Sequence, residues 1–199
     1  MVRRKGEKTD AELVAGIKLG DEADMEEIVR RYSSKVYNLA YHLTRNSSAA
    51  EEIMQEVFLT VVAKIGTLTN NAYFATWLYR VTTNAAYGYL RRERRYMEQT
   101  PVDEAELTTP EGYDWSELPD DILLSDESSS LIQEAIDRLP ESMKTVLILK
   151  DVEGMKNEDI AQALNLSVPA VKSRLHRGRL ILRQALGEYF SKYAKGCDA

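Results

Sequence analysis

The sequence predicts an all-α protein with two small helical domains joined by an acidic flexible linker, and three observations lead to this prediction. Apolar residues recur at helical spacing through most of the 199 residues, while glycine and proline are scarce, with 10 and 5 copies. Eleven acidic and no basic residues lie between Glu98 and Glu127. A helix-turn-helix pattern fills the stretch from Asn157 to Arg183.

Four predicted helices make up the first domain, residues 9–97, which we expect to be a bundle. A capping box beginning at Thr9 predicts the start of the first helix, and Asp21 suits the N-cap of the second. A capping box beginning at Ser48 predicts the start of the third helix, and residues 66–71 form a loop before the fourth. Helical spacing predicts that the last three helices bury Met25, Ile28, Val29, Tyr32, Val36, Leu39 and Leu43, then Ile53, Met54, Val57, Phe58, Val61, Val62 and Ile65, then Phe74, Trp77, Leu78, Val81 and Ala85.

Residues 98–127 form the predicted linker, and residues 128–194 form the second domain. The linker has three prolines, no clean helical period and a net charge of −11, which favour an extended, self-repelling chain. In the second domain, Pro140 suits a helix start and Gly154 a helix end. Its predicted apolar face consists of Leu131, Ile132, Ala135, Ile136, Leu139, Met143, Val146, Leu147 and Leu149.

The net charge of −6 is distributed unevenly along the chain. Residues 1–97 hold 15 basic and 12 acidic residues, and residues 128–199 hold 11 basic and 9 acidic residues. Two mildly basic blocks therefore flank the acidic segment. This asymmetry is compatible with nucleic-acid binding by both blocks, despite the acidic total.

The helix-turn-helix pattern predicts DNA as a partner, because the second helix of this motif lies in the major groove. The first helix ends at Asn165, which tolerates the left-handed conformation of a tight turn, and the second begins at Ser167. Its core face is predicted to be Val171, Leu175, Gly178 and Leu182. A solvated basic face is the alternative, but five basic residues and no acid between Lys172 and Arg183 favour DNA contact. The candidate contact residues are Lys172, Ser173, Arg174, His176, Arg177 and Arg179.

A second basic cluster ends the fourth helix, where four arginines between Arg91 and Arg95 follow Tyr87 and Tyr89. Arginines interleaved with aromatic residues suit contacts with the DNA backbone and stacking on bases. Compensation of the helix dipole is the alternative, and it accounts for one or two of these arginines. Trp77 lies at core spacing, which favours packing over base contact.

The sequence also argues against several classes of function. We find no glycine-rich phosphate loop, nucleophile–base pair or cluster of metal ligands, and therefore predict no catalytic residues, cofactor, metal or small-molecule substrate. The one cysteine, Cys197, predicts no internal disulfide. The polar N-terminus and the lack of an apolar run of about 20 residues predict a cytoplasmic protein without membrane insertion.

Two sets of motifs occur in a defined order around the acidic segment. The first set is AEEIMQEVF from Ala50, Phe74, WLYRV from Trp77, Asn84 and YLRR from Tyr89. The second is Leu139-Pro140, the apolar run 147–149, EDIA from Glu158 and VKSRL from Val171. Because both sets are present and in this order, the chain from about Asp10 to Phe190 resembles the bacterial extracytoplasmic-function sigma factors of the sigma-70 family. It departs from the common pattern in lacking a tryptophan near Val62 and in having Asn165 where glycine is frequent.

This resemblance implies that the protein binds core RNA polymerase and promoter DNA, with an anti-sigma factor as a further partner. The first domain would melt and read the −10 element, and the second would read the −35 element. The parts of the polymerase that it would contact are the beta-prime coiled coil and the beta flap. Glu51, Glu52, Gln55 and Glu56 would dock on the beta-prime coiled coil, and a solvated acidic face is the alternative interpretation of these four residues. The −10 contacts would come from Asn70, Asn71, Tyr73, Trp77, Arg80, Asn84, Tyr87, Arg91 and Arg92.

Two other classes of protein remain alternatives to a sigma factor. A stand-alone helix-turn-helix regulator would account for the second domain and leave the first for dimerisation or ligand binding. Co-purification with core polymerase distinguishes it from a sigma factor. A nucleic-acid enzyme such as a recombinase or nuclease would need clustered acids or a nucleophile in a pocket, which we do not find.

Overall fold

The computed structural model describes residues 8–97 and 133–194, and these residues form helices and no strand. The predicted all-α fold class is thus confirmed for them, while the linker at 98–127 lies outside the described residues. In chain order the helices are α1 Asp10–Lys18, α2 Glu22–Thr44, α3 Ser47–Lys64, α4 Phe74–Met97, α5 at residues 133–137, α6 Glu141–Leu147, α7 Asn157–Leu164 and α8 Val168–Ala194. A π-helical segment, Ile148–Val152, follows α6 directly.

Contacts between residues divide the chain into two compact units. Of the described residues, the first unit holds 8–97 and 148–168, and the second holds 133–147 and 169–194. The helices α1 to α4 and α7 therefore belong to one unit, and α5, α6 and nearly all of α8 to the other.

Two of the three predicted helix starts in the first unit are confirmed. Thr9 and Glu12 form the expected capping box, and the side chain of Asp21 accepts hydrogen bonds from two backbone N–H groups of α2. The prediction for α3 is wrong, because the N-cap is Asn46, whose side chain accepts a bond from the Ala49 N–H. Arg45, in the left-handed conformation, ends α2, and α3 begins directly after Asn46. Ser48 therefore already lies inside the helix and cannot cap it.

The core of the first unit forms where α2 contacts α1, α3 and α4. It deviates most from the predicted apolar faces at the end of α3, where Val62 is 62% exposed. Four more of the predicted residues are only half-buried: Met25, Val29, Met54 and Phe58. On α4, Val81 and Ala85 are only half-buried, whereas Thr82 and Thr83 are buried. Both threonine hydroxyls donate to backbone carbonyls four residues earlier, which satisfies them inside the helix. The largest fully buried side chains of these four helices are Leu13, Val14, Ile28, Val36, Leu39, Ile53, Val57, Phe74 and Leu78.

The second unit has its own small apolar core. Ala135, Leu139 and Leu147 are buried with Leu182 of α8 in one cluster. Gly178 of α8 lies where an added Cβ would be 3.6 Å from the Cβ of Met143, an ordinary packing distance. The predicted core face of α8 is confirmed, because Val171, Leu175, Gly178 and Leu182 are all buried.

Two turns near α7 use backbone with positive φ. Gly154 follows the π-helical segment with a φ of 68°, and Asn165 ends α7 with a φ of 54°. Both positions were expected from the sequence. The N–H groups of Asn165 and Leu166 both donate to the carbonyl of Ala161, which closes the last turn of α7. The π-helical segment itself was not predicted.

A close approach between α1 and α2 accounts for the glycine at position 16. A Cβ at Gly16 would lie 1.8 Å from Oδ2 of Asp24, a side chain that is only 4% exposed. The other carboxylate oxygen of Asp24 accepts a hydrogen bond from Nζ of Lys8 at 2.5 Å. The carboxylate is therefore held against α1 and has little freedom to move away.

We predict that Gly16→Ala destabilises the protein by about 1–3 kcal/mol, as overpacking does, although alanine is the better helix former. The matched control is Gly88→Ala in α4, where an added Cβ meets nothing within 4 Å. This control should stabilise by roughly 0.5–1 kcal/mol. Urea unfolding of both variants measures the difference, and a gain in stability for Gly16→Ala would contradict the close approach.

Candidate nucleic-acid interface and docking surface

The loop between α3 and α4 consists of two short 3₁₀ turns, Ile65–Thr67 and Asn71–Tyr73. Ile65 is buried and anchors the first turn. The side chain of Asn70 accepts a bond from the Ala72 N–H at 3.0 Å and caps the second turn. Thr69 and Asn70 are exposed, so the loop presents its centre to solvent.

Asn71 behaves differently from the neighbouring residues that were predicted to contact DNA. Its Oδ1 accepts a hydrogen bond from Nζ of Lys18 at 2.8 Å, and its Nδ2 donates to the carbonyl of Ala11 at 3.2 Å. Nζ of Lys18 also donates to the carbonyl of Leu68 at 2.5 Å. The amide of Asn71 is thus engaged by α1, which leaves the exposed side chains around it for an external partner.

One face of α4 carries most of the residues predicted to contact the −10 element. At about 100° per residue, positions 77, 80, 84, 87 and 91 lie within about 40° of one line along the helix. We call these five residues the α4 stripe. Arg80, Asn84 and Arg91 are exposed and Tyr87 is half-buried. The stripe is basic, since it holds Arg80 and Arg91 and no acidic residue.

Aromatic packing fixes the N-terminal end of the α4 stripe. Trp77 is 9% exposed, and its ring centroid lies 6.1 Å from that of Phe74. Phe74 is fully buried and meets the ring of Tyr32 edge to face at 5.5 Å. Trp77 is therefore mainly a packing residue, as its spacing suggested. Tyr73, by contrast, is 44% exposed beside it.

A cavity of about 250 Å³ opens between the loop and the start of α4. Residues of the loop, exposed polar side chains and Trp77 together line the cavity. Thr76, a buried residue of α4, also lines it. The complete lining is Thr67, Leu68, Thr69, Asn70, Tyr73, Thr76, Trp77, Arg80, Gln162 and Ala163. Such a cavity offers one apolar wall and several hydrogen-bonding groups, a combination that suits a planar base.

Tyr79 and Glu153 form a hydrogen bond within the first unit that sequence reasoning missed. The Tyr79 hydroxyl donates to Oε2 of Glu153 at 2.7 Å. Burial, and then this hydrogen bond, raise the pKa of Tyr79 far above its ordinary value. The hydroxyl therefore remains a proton donor at any physiological pH. The 74 residues that separate the partners explain why no local pattern indicated the contact.

The second basic surface lies on α8, opposite its buried face. Lys172, His176, Arg177 and Arg179 are exposed, and Ser173 and Arg174 are half-buried. A guanidinium nitrogen of Arg177 donates to the hydroxyl of Ser173 at 2.9 Å, which orients the Arg177 side chain along the helix. Lys172, Ser173, His176, Arg177 and Arg179 thus lie away from the buried face, as the helical periodicity predicts, whereas Arg174 lies beside that face, about 60° from Val171.

An acidic surface lies on α3, where Glu51, Glu52, Gln55 and Glu56 are all exposed. The groove along it is lined by Glu52, Gln55, Glu56, Leu59, Thr60, Ala63 and Lys64. Leu59 is 71% exposed, and with Val62 it extends the acidic surface with apolar area. We call Glu52, Gln55, Glu56, Leu59 and Val62 the α3 surface. Leu59 could have been found from the sequence, because it lies one turn after Gln55 and Glu56 on the polar face.

The described residues, 8–97 and 133–194, contain neither a cluster of metal ligands nor a helix suited to span a membrane. In these residues no group of three or more His, Cys, Asp or Glu side chains could hold a metal ion. Over the same residues, no helix combines the length and the apolar character needed to cross a bilayer.

Comparisons with known proteins identify the family of this chain. The model for Sigma-70 region 2 matches residues 28–96, and the model for Sigma-70, region 4 matches residues 129–182. A curated relative, the ECF RNA polymerase sigma factor SigW of Bacillus subtilis (strain 168), is 35% identical over 179 residues. The match covers 85% of this chain and 92% of SigW.

Solved structures share the fold at lower sequence identity. CnrH, solved in complex with the cytosolic domain of CnrY, matches with a TM-score of 0.67 and 19% identity over 90% of this chain and 97% of that one. The sigma factor RpoE of Bartonella quintana, solved with the anti-sigma factor NepR, matches with a TM-score of 0.61 and 20% identity. That match covers 82% of this chain and 97% of RpoE.

Proposed function

This chain belongs to the extracytoplasmic-function sigma factors of the sigma-70 family, and we propose how its surfaces divide the work of promoter recognition. As a sigma factor it binds core RNA polymerase and directs promoter-specific initiation of transcription. We assign residues 9–97 to polymerase binding and the −10 element, 98–127 to the linker and 128–194 to the −35 element. In this proposal the protein works in the cytoplasm and has no catalytic activity of its own.

The assignment of −10 melting rests chiefly on the α4 stripe and the cavity at its N-terminal end. From position 77 to position 91 the stripe is about 21 Å long, the length of about six stacked bases. Arg80 and Arg91 would neutralise phosphates along the displaced strand. A base that leaves the duplex would enter the cavity beside Tyr73 and Asn70. The contacts made there would offset an unstacking cost of a few kcal/mol.

The assignment of −35 recognition rests on the exposed face of α8. Arg and Lys pair well with guanine edges in the major groove, and Ser hydroxyls accept or donate to either bases or phosphates. The hydrogen bond between Ser173 and Arg177 holds the guanidinium in one orientation. A preoriented side chain loses less entropy on binding, which favours a role for Arg177 in reading a base.

The assignment of polymerase docking rests on the α3 surface. Exposed carboxylates alone would be compatible with a solvated face, but Leu59 and Val62 add exposed apolar area beside them. Acidic groups around an apolar centre suit a basic partner helix with apolar residues of its own. We assign this partner to the beta-prime coiled coil of the polymerase.

We further propose an anti-sigma factor among the partners. RpoE, which has the same fold, was solved with the anti-sigma factor NepR. The α3 surface is a candidate for such a partner, because a protein that covered it would compete with core polymerase for the same apolar and acidic groups.

The α4 assignment predicts that Asn84→Ala slows promoter opening and weakens binding of holoenzyme to single-stranded −10 DNA about tenfold, the effect of about 1.4 kcal/mol. The matched control is Asn38→Ala, an exposed asparagine on α2. The promoter would be identified by sequencing the transcripts that reconstituted holoenzyme initiates on genomic DNA of the source organism. Permanganate reactivity of −10 thymines then reports opening, and equal rates for wild type and Asn84→Ala would contradict the assignment.

For α8 we predict that Arg177→Ala costs about 1–3 kcal/mol of holoenzyme binding if Arg177 reads a base, and relaxes selectivity at one −35 position. A phosphate contact would instead weaken all sequences alike and reduce the salt dependence. Arg138→Ala is the control, since Arg138, just after α5, is exposed and pairs with Glu134 of α5 at 3.9 Å. Binding to a library of −35 variants measures both effects, and an unchanged profile would exclude Arg177 from the interface.

For α3 we predict that Glu56→Lys weakens core polymerase binding, while Glu26→Lys, the same change of charge on α2, leaves it unchanged. Leu59→Ser should also weaken binding, by about 1 kcal/mol or more, yet preserve the unfolding midpoint because the side chain is 71% exposed. Titration of labelled core polymerase gives the affinities. If neither Glu56→Lys nor Leu59→Ser changes the affinity, the α3 surface is only a solvated face.

A further inference from the structure

A single ammonium group at the end of α1 holds two points of the loop that precedes α4. Nζ of Lys18 donates to the carbonyl of Leu68 at 2.5 Å and to Oδ1 of Asn71 at 2.8 Å. Hydrogen bonds from a charged donor are stronger than those between neutral groups. The two residues between these points, Thr69 and Asn70, remain exposed and line the cavity.

Asn71 provides the second connection between the loop and α1. While its Oδ1 accepts from Lys18, its Nδ2 donates to the carbonyl of Ala11 at 3.2 Å, so both ends of the amide are bonded to α1. The helix is itself well anchored to the core through the buried side chains of Leu13 and Val14. The loop is therefore fastened to a fixed element at Leu68 and at Asn71.

We propose that Lys18 and Asn71 are positioning residues for capture of an unpaired −10 base, an inference that rests on the proposed function of α4. They hold the segment 68–71 in its binding shape before DNA arrives, so that Asn70 and Tyr73 already stand beside the cavity. A loop that is ordered in advance loses less conformational entropy when a base enters. In this role Lys18 acts through the loop and makes no contact with DNA.

A purely stabilising role for the same hydrogen bonds makes different predictions. It would lower the unfolding midpoint, and any loss of function would affect core binding, −35 binding and −10 binding together. A positioning role affects only the step in which single-stranded DNA is held. The two roles therefore separate when each binding step is measured independently on holoenzyme.

The experiment uses full-length protein assembled with core polymerase and a fluorescent single-stranded oligonucleotide of the −10 non-template strand. The variants are Lys18→Met, which removes the donors, Lys18→Arg, which keeps charge and donors, and Asn71→Ala. Lys156→Met, at an exposed lysine just before α7, is the control for loss of one positive charge. Asn84→Ala reports independently whether the α4 stripe binds the oligonucleotide.

We expect Lys18→Met and Asn71→Ala each to weaken oligonucleotide binding by about five- to tenfold, the loss of about one hydrogen-bonded contact. Lys18→Arg should retain most of the affinity, and Lys156→Met all of it. The double variant Lys18→Met with Asn71→Ala should be no weaker than either single variant, because the two side chains act as one unit. Unfolding midpoint, core affinity and binding to −35 duplex should stay unchanged.

Wild-type affinity in Lys18→Met, together with weakened binding in Asn84→Ala, would overturn the positioning role and leave the α4 assignment intact. A parallel loss of core, −35 and −10 binding with a lower unfolding midpoint would overturn it in favour of stabilisation alone. Unchanged binding in Asn84→Ala would remove the α4 assignment itself, and with it the premise of the inference.

Discussion

The edge-to-face contact between Phe74 and Tyr32 determines where α4 begins, and much of the first unit depends on that point. Phe74 is fully buried at the first position of α4, with Trp77 against its other side. Tyr32 in turn donates a hydrogen bond from its hydroxyl to Asp10 at the start of α1. Three helices thus converge on one aromatic cluster. Its position sets the rotation of α4 about its axis, and hence which residues form the α4 stripe.

The same cluster has an electrostatic consequence for α1. Asp10 also accepts a hydrogen bond from Arg31 at 3.1 Å, and Arg31 bonds to Glu27, so a chain of charged groups joins α1 to α2. Burial and the bond to Asp10 raise the pKa of Tyr32 well above its ordinary value, which keeps the hydroxyl protonated as a donor. The helix that carries Lys18 is therefore fixed at its N-terminal end by these bonds and along its length by buried leucine and valine.

Local patterns in the sequence were sufficient for much of the fold. The caps at Thr9 and Asp21, the left-handed turn at Asn165 and the buried face of α8 each depend on residues within one or two helical turns, and all were predicted. The predicted N-cap of α3 was wrong because the two-residue connection after α2 places Asn46, not Ser48, directly before the helix. The prediction that Val62 is buried was wrong because, at about 100° per residue, Val62 lies about 140° from Val57 and 100° from Val61, outside the buried face of α3.

Contacts between distant parts of the chain explain what the sequence did not reveal about the site. Lys18 and Asn71 are 53 residues apart, and nothing in the sequence near Asn71 indicates that its amide faces α1. The bond between Tyr79 and Glu153 is equally remote. The exposed positions of Arg80, Asn84 and Arg177 do follow from periodicity, but their roles in binding DNA stay predictions, since exposure alone does not identify a partner.

The contact of Gly16 with the buried carboxylate of Asp24 has a consequence for how this family varies. Any residue with a Cβ at position 16 requires a smaller or differently oriented side chain at position 24, and that change would release the lysine at position 8 as well. The three positions should therefore exchange as a set during evolution. A relative with alanine at position 16 is expected to carry a small side chain at position 24 and to show no preference for a cation at position 8.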